Sequence, residues 1–242
     1  MGYRYVKFTS AGAEKKINED SIEVIEMQDG LLCLLCDGLG GEHGGDLAAK
    51  IALKSAMYFF SAGDSSDYIE RIRYTIEETN TFLYNRSLNT GFEKNMATTI
   101  ELMFFTENFI YWAHIGDSRI YHLKSQRLHL LTKDHSLVQK LLDEGFISGS
   151  QAKNHPQRNV ILNALGEHQH TQPDISKIKI NDFEINKFFL CSDGVSNLIS
   201  NKELEEILNY VDLEQMKTEL IKLIKQRGAP DDYSFIILEK IR

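Results

Sequence analysis

Apolar positions along the chain change period in blocks. Tyr3 to Thr9, Ser21 to Met27 and Leu31 to Cys36 read as three strands, with Gln28-Asp29-Gly30 as a hairpin turn between the last two. From Asp46 the spacing becomes helical: Leu47, Ile51, Ala52 and Ser55 through Phe59 predict one helix. After a polar break at Gly63 to Ser66, Ile69, Ile72, Ile76 and Leu83 mark the inner face of a second, from about Asp67 to Arg86. Thr98 to Phe105, Asn108 to Ile115 and Arg119 to Leu123 then predict a meander of strands. Asp134 to Glu144 predicts a helix closed by Gly145. Phe146 to Pro173 is polar and holds two of the three prolines, the mark of a mobile surface segment. Strands at Ile175 to Ile180 and Lys187 to Cys191, helices at Lys202 to Tyr210 and Leu213 to Gln226, and a strand at Tyr233 to Glu239 complete the chain.

This order, strands then helices then strands again, argues against a doubly wound parallel sheet, which alternates throughout. Antiparallel sheets covered by helices, an α+β class, fit it. No period of 20 to 50 residues recurs, so a solenoid or propeller is excluded.

Length and composition narrow the picture. At 242 residues and 42% hydrophobic, one domain over 1–242 with a large core is expected. A net charge of -8, from 35 acidic and 27 basic residues, speaks against binding to nucleic acid. No stretch approaches the roughly 20 apolar residues needed to cross a bilayer, and Met1 to Val6 has no apolar signal core. A soluble, cytoplasmic protein without membrane attachment is expected; Val6 stands where a myristoylation signal at Gly2 wants Ser or Thr. Cys33 and Cys36 have C-x-x-C spacing, but on a strand they face opposite ways, so they read with Cys191 as buried thiols of a reducing compartment.

The candidate chemistry lies where apolar runs stop: Asn18-Glu19-Asp20, Asp37-Gly38, Gly116-Asp117, Asp193-Gly194 and Asp231-Asp232. In antiparallel sheets the end of one strand lies beside the start of its neighbour. Asp37, Asp117 and Asp193 follow predicted strands while Asp231 precedes one, so all four can converge on one rim. Singly, each is also a good turn residue. As a set they read as oxygen ligands for hard divalent cations. Asp37 opens a loop to Asp46 with five glycines that matches neither the phosphate-loop nor the dinucleotide fingerprint.

The chain resembles the metal-dependent protein serine/threonine phosphatases of the protein phosphatase 2C (PPM) type, especially compact bacterial members. The resemblance rests on Asn18-Glu19-Asp20, Asp37-Gly38-Leu39-Gly40-Gly41, Ala97-Thr98-Thr99, Gly116-Asp117-Ser118-Arg119, Leu131 to Leu137, His155 to Val160, Ala164-Leu165-Gly166, Ser192-Asp193-Gly194 and Asp231-Asp232, in order along the whole chain. It implies a four-layer α-β-β-α sandwich of two stacked antiparallel sheets flanked by helices. It also implies two Mn²⁺ or Mg²⁺ ions bridged by Asp37, with Asp193 and Asp231 on the first and the Gly38 carbonyl and Glu19 on the second. Asp20 would orient bound water, and Asp117 with Asp193 would hold a third ion.

The implied reaction is hydrolysis of phosphoserine and phosphothreonine in proteins by a hydroxide bridging the metals, with phosphoprotein substrates and an opposing bacterial serine/threonine kinase as partners. A monomer is expected. Lys15 stands where the family has a phosphate-gripping Arg; it keeps the charge without the planar fork, and a solvated Lys15-Lys16 pair is the alternative. Ser10 replaces an Asp found in many bacterial members. Leu39 stands where animal members carry a His, leaving His43 as a candidate general acid or simply a solvated loop residue. Asp143 to Gln172 matches the family's flap. Two other functions compete: a catalytically silent phosphatase-like module that binds a phosphoprotein or partner, and an unrelated two-metal hydrolase of small phosphate esters.

Overall fold

The computed structural model describes residues 2–39, 44–89, 96–180 and 186–241. In chain order the elements are β1 (Tyr3–Ser10), β2 (Asp20–Met27), β3 (Gly30–Leu39), α1 (Gly45–Ala62), α2 (Tyr68–Asn89), β4 (Ala97–Thr98), β5 (Ile100–Phe105), β6 (Phe109–Ile115), β7 (Arg119–Lys124) and β8 (Arg127–Leu130). They continue with α3 (Leu137–Asp143), α4 (Gly149–Lys153), β9 (Asp174–Lys179), β10 (Asn186–Cys191), α5 (Asp193–Ser196), α6 (Asn201–Leu208), α7 (Leu213–Gln226) and β11 (Tyr233–Lys240).

Two antiparallel sheets result. One runs β1-β11-β10-β7-β8; the other runs β2-β3-β5-β6-β9, with β4 paired to β3. Their faces explain why several strands read as unbroken apolar runs. On β3, Leu31, Cys33 and Leu35 point between the sheets, where they join Met103, Phe105, Phe188, Leu190, Ile236 and Leu238. Leu32, Leu34 and Cys36 point the other way, onto Ala48, Ala49, Ala52 and Ala56 of α1 and Ile72 and Ile76 of α2. The outer face of the first sheet, with Tyr121, Phe189, Phe235 and Ile237, is covered by Leu204, Ile207, Leu213, Met216, Leu220 and Ile224 of α6 and α7. Three apolar layers between four structural layers give the expected α-β-β-α sandwich. The opposite facing of Cys33 and Cys36 follows from the same pleat, and both thiols are free and buried.

Four local expectations are corrected. β3 does not stop at Cys36: it continues through Asp37 and Gly38 to Leu39, because Gly38 and Leu39 pair with Thr98 and Ala97 of β4. The helix predicted from Asp134 begins only at Leu137, with Ser136 as its cap accepting from the Gln139 N–H. Asp134 and His135 are held elsewhere, by Arg119 and Gly116. Within the polar stretch, Ser148 and Gln151 form a reciprocal capping box that starts α4. Finally, β8 pairs with β7: its Arg-Leu-His-Leu alternation spans only 4 residues, too few to stand out as a strand in the sequence.

Leu220, fully buried on the inner face of α7, tests the outer layer. Leu220→Ala is expected to cost about 2–5 kcal/mol of unfolding free energy. Urea titration with EDTA present measures it, and a loss below about 1 kcal/mol would contradict this packing.

Candidate active site

Asp20 and Asp37 are cross-strand partners on β2 and β3. Like charges placed opposite each other in a sheet repel, so the backbone there needs firm support. Thr98 and Thr99 supply it. The Asp37 N–H donates to Thr99 Oγ1 at 3.0 Å, and the Asp37 carbonyl accepts from Thr98 Oγ1 at 2.8 Å and from the Thr99 N–H at 2.9 Å. Thr99 Oγ1 also shares a hydrogen bond with Ser118 Oγ at 3.1 Å, linking Asp37 to the turn that carries Asp117.

Asp232 organises the opposite wall. Its Oδ1 accepts from the Gly12 N–H at 3.0 Å and its Oδ2 from the Glu19 N–H at 2.8 Å. The buried Asp232 side chain thereby folds 12–19 against the start of β11 and sets Glu19 facing Gly38. Asp193 opens α5 directly after β10, where Asn197 Nδ2 donates to its Oδ2 at 3.1 Å. A cavity of about 460 Å³ gathers Asp37, Asp117, Asp193, Asp231, Lys15 and Gly38, with Asn159 and Ile161 of the flap segment on its border.

The electrostatics match this crowding. Burial first, then the neighbouring Asp20, Asp193, Asp117 and Asp231, pushes the Asp37 carboxyl well above its ordinary range. Burial and Asp193 raise Asp117 to about 8. Burial and Asp231 raise Asp193 to about 6, partly offset by Lys15 and a hydrogen bond with Asp37. Asp20 is raised to about 7 by burial, with Asp193 and Asp232 adding to it against the Ser192 and Ser234 hydrogen bonds.

The Lys15 ammonium lies on Asp231, 3.3 Å from Asp232 Oδ2 and 3.7 Å from Glu19 Oε2. Burial works against its charge, but the hydrogen bonds and charges of Asp231 and Asp232 raise its pKa. Lys15 is therefore not one of a freely solvated Lys15-Lys16 pair; partly exposed at the border of the cavity, it is the counter-charge of this wall.

Among the described residues no three His, Cys, Asp or Glu side chains converge as a ready-made metal cage. The donors instead suit a hard cation that keeps much of its water and takes few carboxylates. Two local features fit such an ion. Asp20 Oδ1 is buried without a hydrogen-bond partner, while its Oδ2 accepts from Ser192 Oγ at 2.8 Å. A Cβ on Gly45 would overlap Glu19 Oε1 and stand 2.9 Å from the Gly38 carbonyl oxygen, so a glycine keeps the space between those two oxygens open.

Of the expected site residues, Asp37, Gly38, Asp117, Asp193, Asp231 and Lys15 line this one cavity, with Glu19 and Asp20 behind it. His43 lies outside the described residues. Ser10 Oγ donates to the Ala11 carbonyl. Two functional supports were not anticipated. The motifs give Asp232 no role apart from Asp231, although an Asp-Asp pair before a strand is a visible signal. Arg119 grips Asp134 with Nε at 2.9 Å and Nη2 at 2.7 Å, a two-pronged bond that both motifs foreshadow without showing that they meet.

Stacked antiparallel sheets with carboxylates gathered at one end make a site suited to hard divalent cations. The chain belongs to the protein phosphatase 2C family, whose family model, Protein phosphatase 2C, matches residues 9–225. The serine/threonine phosphatase stp of Listeria monocytogenes is 32% identical over 238 residues, covering 96% of this chain and 94% of that protein. PstP of Mycobacterium tuberculosis is 28% identical over 238 residues, which span 98% of this chain and 45% of that longer protein. A structure of the PstP catalytic domain in complex with two manganese ions superposes with a TM-score of 0.87 at 26% identity, covering 99% of both chains. In class, the protein is a metal-dependent protein serine/threonine phosphatase.

A pH dependence follows for the metal-free protein. Folded Asp20, Asp117 and Asp193 keep protons to about 7, 8 and 6 against an ordinary aspartate value of 3.8. Above pH 3.8 the unfolded chain releases those protons first, so the stability they contribute is lost as pH rises through the folded values. The melting temperature in EDTA is expected to fall between pH 5 and pH 8, and saturating Mn²⁺ to flatten that fall. A metal-free melting temperature that rises over this window would contradict the buried carboxylate cluster.

Proposed function

We propose that this chain, as one domain over 1–242, hydrolyses phosphoserine and phosphothreonine in proteins. The observation that carries the reading is the brace of Thr98 and Thr99 on Asp37, which holds that carboxylate at a cavity shared with Asp117, Asp193 and Asp231. Asp37, Asp193 and Asp231 would hold one Mn²⁺ or Mg²⁺ ion, Asp37 with Gly38 and Glu19 a second, and Asp117 with Asp193 a third. When bound, such ions supply positive charge for the phosphoryl oxygens and acidify water for attack on phosphorus.

The chain's own residues do the positioning. Asp20 offers Oδ1 as an acceptor that orients water, with Ser192 fixing the rest of the carboxylate. Lys15 sits at the edge of the cavity on Asp231, from where its flexible stem can turn to a substrate phosphate. The flap segment, through Asn159 and Ile161, borders the cavity and limits what enters. His43 is retained as a candidate proton donor to the leaving oxygen.

A cytoplasmic monomer opposing a serine/threonine kinase completes the proposal. Three free buried thiols support the compartment, and among the described residues no helix is long and apolar enough to cross a membrane. The silent-module reading draws on one observation, the engagement of Lys15 with carboxylates rather than with an open phosphate site.

Phosphate release from p-nitrophenyl phosphate and from a phosphothreonine peptide, with Mn²⁺, with EDTA and with Asp193→Ala, decides between these readings. Release from both substrates that needs Mn²⁺, and falls at least about 100-fold in Asp193→Ala, is expected. No metal-dependent release from either would sink the enzyme reading, and turnover confined to the small ester would favour an unrelated phosphomonoesterase. Lys15→Met should raise KM for the peptide several-fold with a smaller change in kcat, as loss of a ground-state phosphate contact does. An unchanged KM would remove Lys15 from substrate binding.

A further inference from the structure

Gly116, next to Asp117, is held from two sides. Its backbone lies in the left-handed region at φ 114°, and a Cβ there would overlap Thr99 Cγ2, so the turn packs directly on the residue that braces Asp37. On the other side both polar backbone atoms of Gly116 go to one residue. The His135 N–H donates to the Gly116 carbonyl at 2.7 Å, and the Gly116 N–H donates to His135 Nδ1 at 3.2 Å.

Since Nδ1 accepts, the ring proton of His135 is on Nε2, which faces Asp174 Oδ2 at 3.4 Å. His135 also holds the returning end of the flap segment. The Leu162 N–H donates to its carbonyl at 2.7 Å, and Asn163 Nδ2 donates to Nδ1 at 3.3 Å while also bonding the Gln172 carbonyl at 2.9 Å. Behind His135, at 4.5 Å between ring centroids, lies His114. His114 Nε2 donates to the Lys133 carbonyl at 3.0 Å, and its Nδ1 is 2.6 Å from Glu101 Oε1. Both of these side chains are fully buried.

Burial lowers the His114 pKa and, with Asp134 and Asp174 adding to it, raises that of Glu101 well above the carboxylate range. A neutral pair satisfies the geometry: the Glu101 carboxyl donates to Nδ1 and the Nε2–H donates to the Lys133 carbonyl. The other Glu101 oxygen has no partner, a burden a neutral acid bears better than an anion.

We propose that His135 is a positioning residue of the phosphatase reaction, coupling the flap to the Gly116-Asp117 turn, with the Glu101–His114 pair as its rigid backing. The inference rests on the phosphatase reading for its kinetic consequence but not for its structural one. His135 touches no reacting atom. Its effect passes through Gly116 to Asp117, and through Leu162 and Asn163 to the flap residues that border the cavity.

Trypsin cleavage at Lys153 and Arg158, both exposed on the flap, reads the coupling without any need for activity. His135→Ala is expected to speed that cleavage about five- to tenfold, and His135→Asn, which restores an acceptor near Nδ1, to reverse most of the change. Asn163→Ala leaves the Gly116 bonds of His135 intact but removes the flap-side bond together with the bonds of Asn163 to the Gln172 carbonyl and to Thr171 Oγ1, and should speed cleavage at least as much, a second readout if His135→Ala folds poorly. Glu101→Gln keeps a donor for His114 and should leave cleavage at the wild-type rate, whereas Glu101→Leu should not.

In kinetics with Mn²⁺, His135→Ala should lower kcat/KM for the phosphothreonine peptide about 10- to 100-fold, and for p-nitrophenyl phosphate by clearly less. Wild-type cleavage rates in both His135→Ala and Asn163→Ala, or equal kinetic losses on the two substrates, would overturn the coupling. A wild-type protein without metal-dependent activity would instead overturn the phosphatase reading, while the cleavage rates still decide the role of His135.

Discussion

The repulsion among carboxylates gathered at one end of the sandwich sets the terms for everything around it. Asp20 and Asp37 are directly opposed across β2 and β3, and Asp193, Asp117 and Asp231 all push the Asp37 pKa upward. Like charges at such a position destabilise a sheet. The opposing force is the burial of both faces of β3, with Leu31, Cys33 and Leu35 in one apolar layer and Leu32, Leu34 and Cys36 in another. With both faces occupied, slipping the register by one residue would exchange two packed sets of side chains, so the strand cannot move to separate the acids.

Support and chemistry are divided between neighbouring residues. Asp232, Thr99 and Ser192 spend their polar atoms on backbone groups or on other side chains of the frame. Asp37, Asp117, Asp193 and Asp231 turn theirs toward the cavity. Adjacent acids at 231 and 232 show the division most clearly: the first is half-buried and meets Lys15, the second is buried and holds the backbone of Gly12 and Glu19. Lys15 joins the two roles. Its ammonium screens the acidic wall at modest energetic weight, since more than a third of its side chain remains open to solvent.

The layers were legible because burial on both faces leaves a readable mark, long apolar runs in β3, β5 and β10, and because helical spacing in α2 and α7 is regular. Boundaries were less legible where tertiary partners override local preference. Asp37-Gly38 looks like a turn by itself and becomes strand only because Thr98 and Ala97, some 60 residues on, pair with the stretch beside it. Asp134 looks like a helix start but is taken by Arg119. The acids were found as a set through their positions at the ends of apolar runs; which of them hold backbone and which face the cavity depends on distances that spacing does not encode. Glu101 and His114 illustrate the limit further, since each sits inside a strand pattern and only their cross-strand register brings them together.

That register also explains why Glu101 is tolerable so near an acidic centre. An anion there would add to Asp134 and Asp174 in a place without water, and the uncompensated charge would be costly. By sharing one proton with His114, the pair contributes two directed hydrogen bonds and no net charge. The contact surface presented to His135 is then independent of the charge state of the cavity. A charged brace would shift with every change in the ionisation or loading of the carboxylates, whereas a neutral one keeps the Gly116 turn in place while the charges around Asp117 change. The Asp117 side of the cavity can thus be both strongly electrostatic and geometrically constant, which is the condition for placing a carboxylate to within a fraction of an ångström.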